Sequence, residues 1–472
     1  MSRLSISAAA RDAGDRVAIV TATRELTFAE CAQLVAEQCA ARDPGAQLAA
    51  ARREARDPNA QLAAVQREAR DPSAPREARD SGAQRAAAPR EAREPCARAI
   101  VATSTVETIL AVYAALDAER PLGLVHAKLR DAERDAQLAA VDAAALPAGT
   151  AFVLFTSGST GPARGVVLSR GAILAAADAS AARLTWRDDD RWLSCLPMAH
   201  AGGLSIAVRC LAARKPVVLH DADFDPARVA ELARDRRATI ASLVPTQLAA
   251  LLATRAEPHA LRAVVLGGAA AAPALIADAV ARGWPVLPSY GLTETFGQVA
   301  TALAPGGPPV ALPGAAISAH ETLHVRGAML ATAYLDGTPI APELVTADLG
   351  GVRSDGTVHI LGRLDDVIVT GGEKVHPQAV EAVLAATPGV RAACAFAVPD
   401  ARWGHVVAAA LAVGDLAAFD RAGALARWHA ALPAYARPRR LALAAALPLL
   451  PSGKLDRRAI ASLPVAAIEY ES

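Results

Sequence analysis

Aromatic residues make up only 4% of the 472 positions, and none occurs between Phe28 and Tyr113. An excess of one charge is also missing: 49 Lys and Arg stand against 48 Asp and Glu, a formal net charge of +1. That balance gives no footing for nucleic acid or an anionic membrane surface. Six cysteines (31, 39, 96, 195, 210 and 394) are scattered, with no CxxC and no Cys/His cluster at metal-ligand spacing. The cysteines thus give no sign of a thiolate metal site, and reduced thiols in a cytoplasmic protein are expected. No uncharged apolar run reaches the ~18 residues that span a bilayer. Arg11, Asp12, Asp15 and Arg16 interrupt the N-terminal stretch, which does not read as a signal peptide. What remains is a globular composition, 53% hydrophobic and 21% charged, long enough for two or three domains with a large core.

Residues 41–98 stand apart. A unit of about 14 residues recurs, Ala46-Gln47-Leu48-Ala49-Ala50 to Asp57-Pro58 and then Ala60-Gln61-Leu62-Ala63-Ala64 to Asp71-Pro72. The segment carries twelve arginines against nine acids and almost no large apolar side chain. Short helices started at each Asp-Pro would have little to bury, so a solvated low-complexity insertion is expected, with a partner-binding arm as the alternative.

Elsewhere strands alternate with helices. Strands are expected at 99–103, 152–155, 165–168, 217–219, 240–244 and 263–266, and helices at 106–118, 171–184, 226–235 and 245–253. This spacing predicts α/β architecture with largely parallel sheets. After about residue 320 turn glycines multiply, predicting a small β-rich unit, and residues 366–472 read as a compact α+β tail.

Five motifs that carry chemistry follow in order. Thr156-Ser157-Gly158-Ser159-Thr160-Gly161, after the apolar run Ala151 to Phe155, offers N–H groups and hydroxyls to phosphate oxygens. Leu196-Pro197-Met198-Ala199-His200 sets a histidine among small residues. Ser289-Tyr290-Gly291-Leu292-Thr293-Glu294 supplies a flat ring, a close backbone approach, a hydroxyl and a carboxylate suited to Mg²⁺. Asp348 and, further on, Arg363-Leu364-Asp365-Asp366 with Gly371-Gly372 offer a ribose acceptor, a cation and an unusual backbone path. Leu450-Pro451-Ser452-Gly453-Lys454 carries a lysine on a glycine-hinged loop. Taken singly, each also reads as turns, caps or surface charge.

In this order the five motifs resemble the adenylate-forming superfamily of acyl-CoA synthetases, peptide-synthetase adenylation domains and luciferases. The likeness covers about residues 99–460 plus Leu26-Thr27-Phe28-Ala29-Glu30. It implies an N-terminal domain over 1–362, a hinge at 363–365 centred on Asp365, and a mobile C-terminal lid over 366–472. ATP and Mg²⁺ are implied, with CoA as co-substrate. Thr156 to Gly161 would hold the β- and γ-phosphates, with Thr160 also near the metal. Gly268, Ala269 and Tyr290 would flank adenine, Gly291 would also belong to the ATP site, and Asp348 with Arg363 would hold the ribose. Thr293 would touch the α-phosphate, Glu294 would bind Mg²⁺, and Lys454 would bridge carboxylate and α-phosphate. Gly371 and Gly372 would line a pantetheine channel after the lid rotates.

The amine-binding Asp of amino-acid-activating domains is missing around Met198-Ala199-His200, which favours a free carboxylic acid. His200 to Arg209 and Leu292 to Thr301 are similar to the o-succinylbenzoate–CoA ligases of menaquinone biosynthesis. His200, Arg209, Gly291 and Gln298 would then face the acid, with Arg209 pairing a second carboxylate unless it is only a surface residue on a helix. Departures are Arg164 in place of the usual Lys, Pro162 one place early, Ala199 in place of an aromatic, and His405 in place of Glu. A ligase for another aromatic or short-chain acid, and an inactive nucleotide-binding scaffold, stay open as alternatives. So does a homo-oligomer; small molecules are the expected partners.

Overall fold

The computed structural model describes residues 3–42, 98–156, 163–468 and 470. Of the expected insertion, Ala41 and Arg42 end the helix Phe28–Arg42, Arg98 opens the strand Arg98–Ala102, and everything between lies outside the described residues. Ser157, Gly158, Ser159, Thr160, Gly161 and Pro162 lie outside them too.

A nine-stranded sheet and a five-stranded sheet dominate. In the first, Val286–Leu292, Ala263–Leu266, Ile240–Leu243, Trp192–Ser194, Val217–Leu219 and Val17–Val20 run parallel. Antiparallel strands finish both edges. In the second, Arg98–Ala102, Leu122–His126 and Thr150–Phe155 are parallel, followed by antiparallel Gly165–Ser169 and Ala333–Tyr334. The expected strands form within a residue or two of their anticipated ends.

The helices Arg170–Leu184 and Ala201–Ala213 join the two sheets in one apolar cluster. Phe152 and Leu168 come from one sheet, Ile173, Leu204 and Val208 from the helices, and Trp192 and Ile240 from the other sheet. Along Val217–Leu219, Val217 and Leu219 enter that cluster while Val218 enters a second one on the opposite face. Burial on both faces is why these strands read as continuous apolar runs.

Caps fix the helix starts. Ser169 Oγ accepts from Ala172 N at 3.1 Å. Asp225 accepts from Arg228 N at 2.9 Å with Pro226 at the first helical position. Thr27 and Glu30 cap each other reciprocally at the start of Phe28–Arg42.

A three-stranded sheet of Ala315–Ala319, Leu323–Gly327 and Glu343–Val345, with the hairpin Asp348–Val352 and Val358–Arg363, makes the β-rich unit. The tail builds on Val390–Asp400, Gly404–Val413 and Arg440–Ala444. Pro377–Ala385 and Arg421–Ala431 cover one face, and Ile460 from Arg457–Ala461 packs on the other. Among the described residues no helix is long and apolar enough to cross a membrane.

Candidate active site

The strand Val286–Leu292 ends in a 3-10 turn, Thr293–Thr295, and the chain returns antiparallel as Gly297–Ala302. Thr295 holds the reversal: its Oγ1 accepts from Leu292 N at 3.0 Å and donates to the Gly297 carbonyl at 2.7 Å. A Cβ on Gly291 would lie 1.9 Å from that carbonyl, so only glycine allows the two backbones to approach. The hairpin presents Tyr290, Thr293 and Glu294 half-buried at its tip.

Tyr290 Oη donates to Asp348 Oδ2 at 2.6 Å, and Arg363 pairs with Asp348 Oδ1 at 3.2 Å. Asp348 and Arg363 are register partners on neighbouring strands, so the sheet itself sets the ion pair. Arg363 also reaches Asp365 Oδ2 at 2.8 Å. Asp365 lies in the exposed 3-10 turn Leu364–Asp366, whose Asp366 faces Arg457 Nε of the tail at 3.8 Å. Burial, then the charge of Asp348, pushes the Tyr290 phenol up, so it stays a donor.

Glu294 Oε1 accepts from Tyr334 Oη at 3.1 Å; its Oε2 has no partner among the described residues. Burial, then Glu294, pushes the Tyr334 phenol up to about 12. Arg164 Cζ stacks 3.5 Å from the Tyr334 ring centre, and Arg164 pairs with Asp336 at 3.3 Å. Thr156 N donates to the Arg164 carbonyl at 2.9 Å and Arg164 N to Thr156 Oγ1 at 3.1 Å, pinning both ends of the loop between them.

Lys454 arrives from the tail. Gly453, at φ +79°, turns the loop so that its carbonyl accepts from Thr246 Oγ1 at 2.7 Å. Lys454 Cε lies 3.6 Å from where a Cβ on Gly268 would stand, and Gly268 itself is at φ +81°. Burial, then the Arg363 charge, lowers the lysine pKa, while Asp348 opposes that shift. Ala269 follows Gly268 on the exposed side.

His200 precedes the helix Ala201–Ala213, and its ring stands 5.2 Å from that of His126. Burial, then His126 and Lys454, push its pKa down to about 3, so the ring is a neutral imidazole at ordinary pH. Two and a half turns along the same helix Arg209 is buried, 3% exposed, which excludes the surface-residue alternative. Its Nε and one terminal nitrogen have no hydrogen-bond partner, and its charge sits 5.5 Å from the Trp192 ring centre. Burial lowers its pKa to about 10. Gly297 faces it: a Cβ there would lie 3.6 Å from the guanidinium. Gln298 is buried nearby, its Oε1 taken by Ser180 Oγ at 3.0 Å and its Nε2 donating to Thr301 Oγ1 at 2.8 Å.

The fold thus gathers Tyr290, Asp348, Arg363, Glu294, Gly268 and Lys454 around one hairpin tip. Gly371 and Gly372 lie elsewhere, in an exposed turn of the tail where a Cβ on Gly371 would meet Trp403 at 2.5 Å. Tyr334, His126, Thr246 and Ser180 were not singled out by the sequence. Only His126 carried a signal, as a polar residue at the carboxyl end of the apolar parallel strand Leu122–His126, where open α/β sheets bind ligands.

The carboxylate of Asp348 is thus held between a tyrosine and an arginine, beside a lysine brought in by the C-terminal unit. The chain belongs to the AMP-binding enzyme family, whose profile matches residues 78–329, and the profile of the AMP-binding enzyme C-terminal domain matches 379–454. It is 34% identical over 338 residues to a 2-succinylbenzoate–CoA ligase of Bacillus pumilus, covering 66% of this chain and 69% of that protein. Against a ligase of the same name in Bacillus cereus it is 32% identical over 54% of this chain and 59% of the relative. The o-succinylbenzoate CoA synthetase of Bacillus subtilis in complex with its acyl-adenylate intermediate superposes with a TM-score of 0.76 at 25% identity, covering 98% of this chain and 99% of that one. The same enzyme with ATP and magnesium gives 0.72 at 25% identity, over 96% and 98% of the two chains.

Proposed function

We infer that this chain is an ATP-dependent, AMP-forming acid–CoA ligase whose acid is o-succinylbenzoate (2-succinylbenzoate), a step of menaquinone biosynthesis. The observation that carries the choice of acid is Arg209. A buried guanidinium with two unpartnered nitrogens is costly unless an anion completes it, and a second carboxylate on the acid does so. Likeness along nearly the whole chain to the Bacillus subtilis enzyme supports the same reading.

In this reading the acid's reacting carboxylate attacks the α-phosphorus of ATP. The bond to pyrophosphate breaks, and an acyl-adenylate forms. A CoA thiolate then attacks the acyl carbon and AMP leaves, so one hard step becomes two easier ones. Thr156 and the loop Ser157 to Gly161 offer donors to the β- and γ-phosphates. Gly268, Ala269 and Tyr290 flank the base with Gly291 beside Tyr290, while Asp348 and Arg363 grip the ribose. Thr293 donates to the α-phosphate. Lys454 supplies a cation between two anionic reactants, where an aimed charge matters most. His200, neutral and beside His126, shapes the acid pocket, and Gln298, held by Ser180 and Thr301, borders it.

Magnesium fits this site as an ion carried in by the triphosphate. Among the described residues no three His, Cys, Asp or Glu side chains converge on a metal, and Glu294 keeps one oxygen free. A phosphate-bound Mg²⁺ needs only one or two protein carboxylates, and Glu294 would supply one; Thr160, which the resemblance also assigns to the metal, lies outside the described residues. When bound, the ion offsets charge on the leaving pyrophosphate.

For the second step residues 366–472 turn about Asp365, bringing Gly371 and Gly372 to the site as a pantetheine channel. The balanced charge and free thiols suit a cytoplasmic enzyme of small-molecule partners. The test is CoA-dependent AMP formation from ATP with o-succinylbenzoate, benzoate and a medium-chain fatty acid. Strong preference for the first is expected. Activity with another acid alone would keep the chemistry and overturn the pathway, and absence of pyrophosphate exchange with any acid would favour a scaffold.

A further inference from the structure

Tyr334 stands on the edge strand Ala333–Tyr334, paired with Gly165–Ser169, the strand that leaves the loop 157–162. The same sheet therefore carries Tyr334 and both ends of that loop. From this sheet the Tyr334 hydroxyl crosses to the other one and donates to Glu294 Oε1 at 3.1 Å. Ala331 N donates to the Glu294 carbonyl at 2.8 Å, so one short segment grips Glu294 by backbone and by side chain. The Tyr334 ring is held in turn by Arg164, stacked at 3.5 Å and anchored to Asp336.

We propose that Tyr334 is the positioning residue for Glu294, and that Arg164 acts through Tyr334, so that the stacked pair ties the base of the phosphate loop to the carboxylate that meets magnesium triphosphate. The proposal rests on the reading of Glu294 given above. A free glutamate spreads over many rotamers, and a phenol on one oxygen fixes it while leaving the other for the ion. Arginine at 164 suits the task because a planar guanidinium stacks flat on a ring; a lysine presents only a point charge on a flexible stem. This accounts for the departure from the superfamily's usual lysine at that place.

Titration calorimetry on the full chain, without acid, separates the possibilities, with Mg·ATP as one probe and AMP as the other. Tyr334→Phe, which keeps the ring, is expected to weaken Mg·ATP binding about tenfold while AMP changes less than about twofold. Arg164→Lys is expected to weaken Mg·ATP about threefold and to add nothing in the Tyr334→Phe background, since its effect runs through the lost hydroxyl. Mg·ATP affinity of Tyr334→Phe within twofold of the parent would overturn the proposal. Losses that multiply in the double variant would overturn it as well, placing Arg164 on the nucleotide directly. Parallel loss of AMP and Mg·ATP would show general damage to the site and count against it equally. A parent protein that binds neither nucleotide would overturn the nucleotide-site reading itself.

Discussion

Thr246 Oγ1 donates a 2.7 Å hydrogen bond to the carbonyl of Gly453, a residue 207 positions away. One partner begins the helix Pro245–Ala253 under the nine-stranded sheet, and the other sits next to Lys454. The bond holds the lysine loop against Gly268, while Gly371 and Gly372 stay out on the tail. In the proposed mechanism this is the arrangement the first half-reaction needs.

Lys454→Ala is therefore expected to lower ATP–pyrophosphate exchange on the order of 100-fold or more, the loss of one aimed charge. Thioester formation from a supplied acyl-adenylate should stay within about threefold, because in the proposed mechanism that step follows a rotation of the lid. Thr246→Val removes one neutral hydrogen bond and should slow exchange about fivefold, again sparing the second step. Equal loss in both half-reactions would contradict a rotating lid.

Arg209 gives a prediction about choice of acid. Arg209→Leu should raise KM for o-succinylbenzoate about 10- to 100-fold, the range of one charge-assisted pair, and leave benzoate turnover near the parent value. Arg209→Lys keeps the charge but not the fork, and should recover only part of the loss. AMP formation with the two acids reads this directly. Indifference of both acids to the substitution would move the pathway assignment elsewhere.

Local signals in the sequence carried much of this. The helix expected at 226–235 and the strand expected at 217–219 both form, because cap chemistry (Asp225-Pro226) and an apolar run are written in consecutive residues. The alanine strands were harder to read. In Gly404–Val413, Ala408, Ala409 and Ala410 pair across to Val390–Asp400, although alanine favours helix; packing on both faces overrides the preference. Pro309–Ala311 joins the nine-stranded sheet and Ala315–Ala319 opens the β-rich unit, which therefore starts before the expected residue 320. Within the site, the motifs named Tyr290, Glu294, Asp348 and Lys454 but not what holds them. Tyr334 is 40 positions from Glu294, and Thr246 lies farther still from Gly453. Such pairs come from strand order, which no window of neighbouring residues encodes.

The neutral state of His200 bears on pH dependence. With burial, His126 and Lys454 depressing its pKa to about 3, the ring stays uncharged throughout the working range. The acid limb of kcat/KM between about pH 5.5 and 8 should keep its midpoint in His200→Asn even if the height of the profile falls. A limb near pH 6.5 that disappears in the variant would show that His200 titrates in the free enzyme.

Asp190 and Arg262 supply the stability prediction. Asp190 is fully buried, pairs with Arg262 at 2.6 and 2.8 Å, and accepts from Thr239 Oγ1 at 2.7 Å and Arg187 N at 2.7 Å. Burial alone would raise its pKa, but Arg262, the Arg187 N–H and Thr239 together hold it below the usual carboxylate range. A folded pKa below the unfolded value of ~3.9 gives stability that is fully present above pH ~4 and is lost as pH falls through the folded value. Asp190→Asn should thus cost about 3–5 kcal/mol at pH 7, the usual penalty for stripping one partner from a buried pair. The gap to the parent should narrow as urea titrations move toward pH 3. Replacing both partners with apolar residues of similar volume should recover most of the loss, because no buried charge is then left unpaired. A gap that stays constant from pH 7 to pH 3 would mean that shape, and not the carboxylate charge, is what Asp190 contributes.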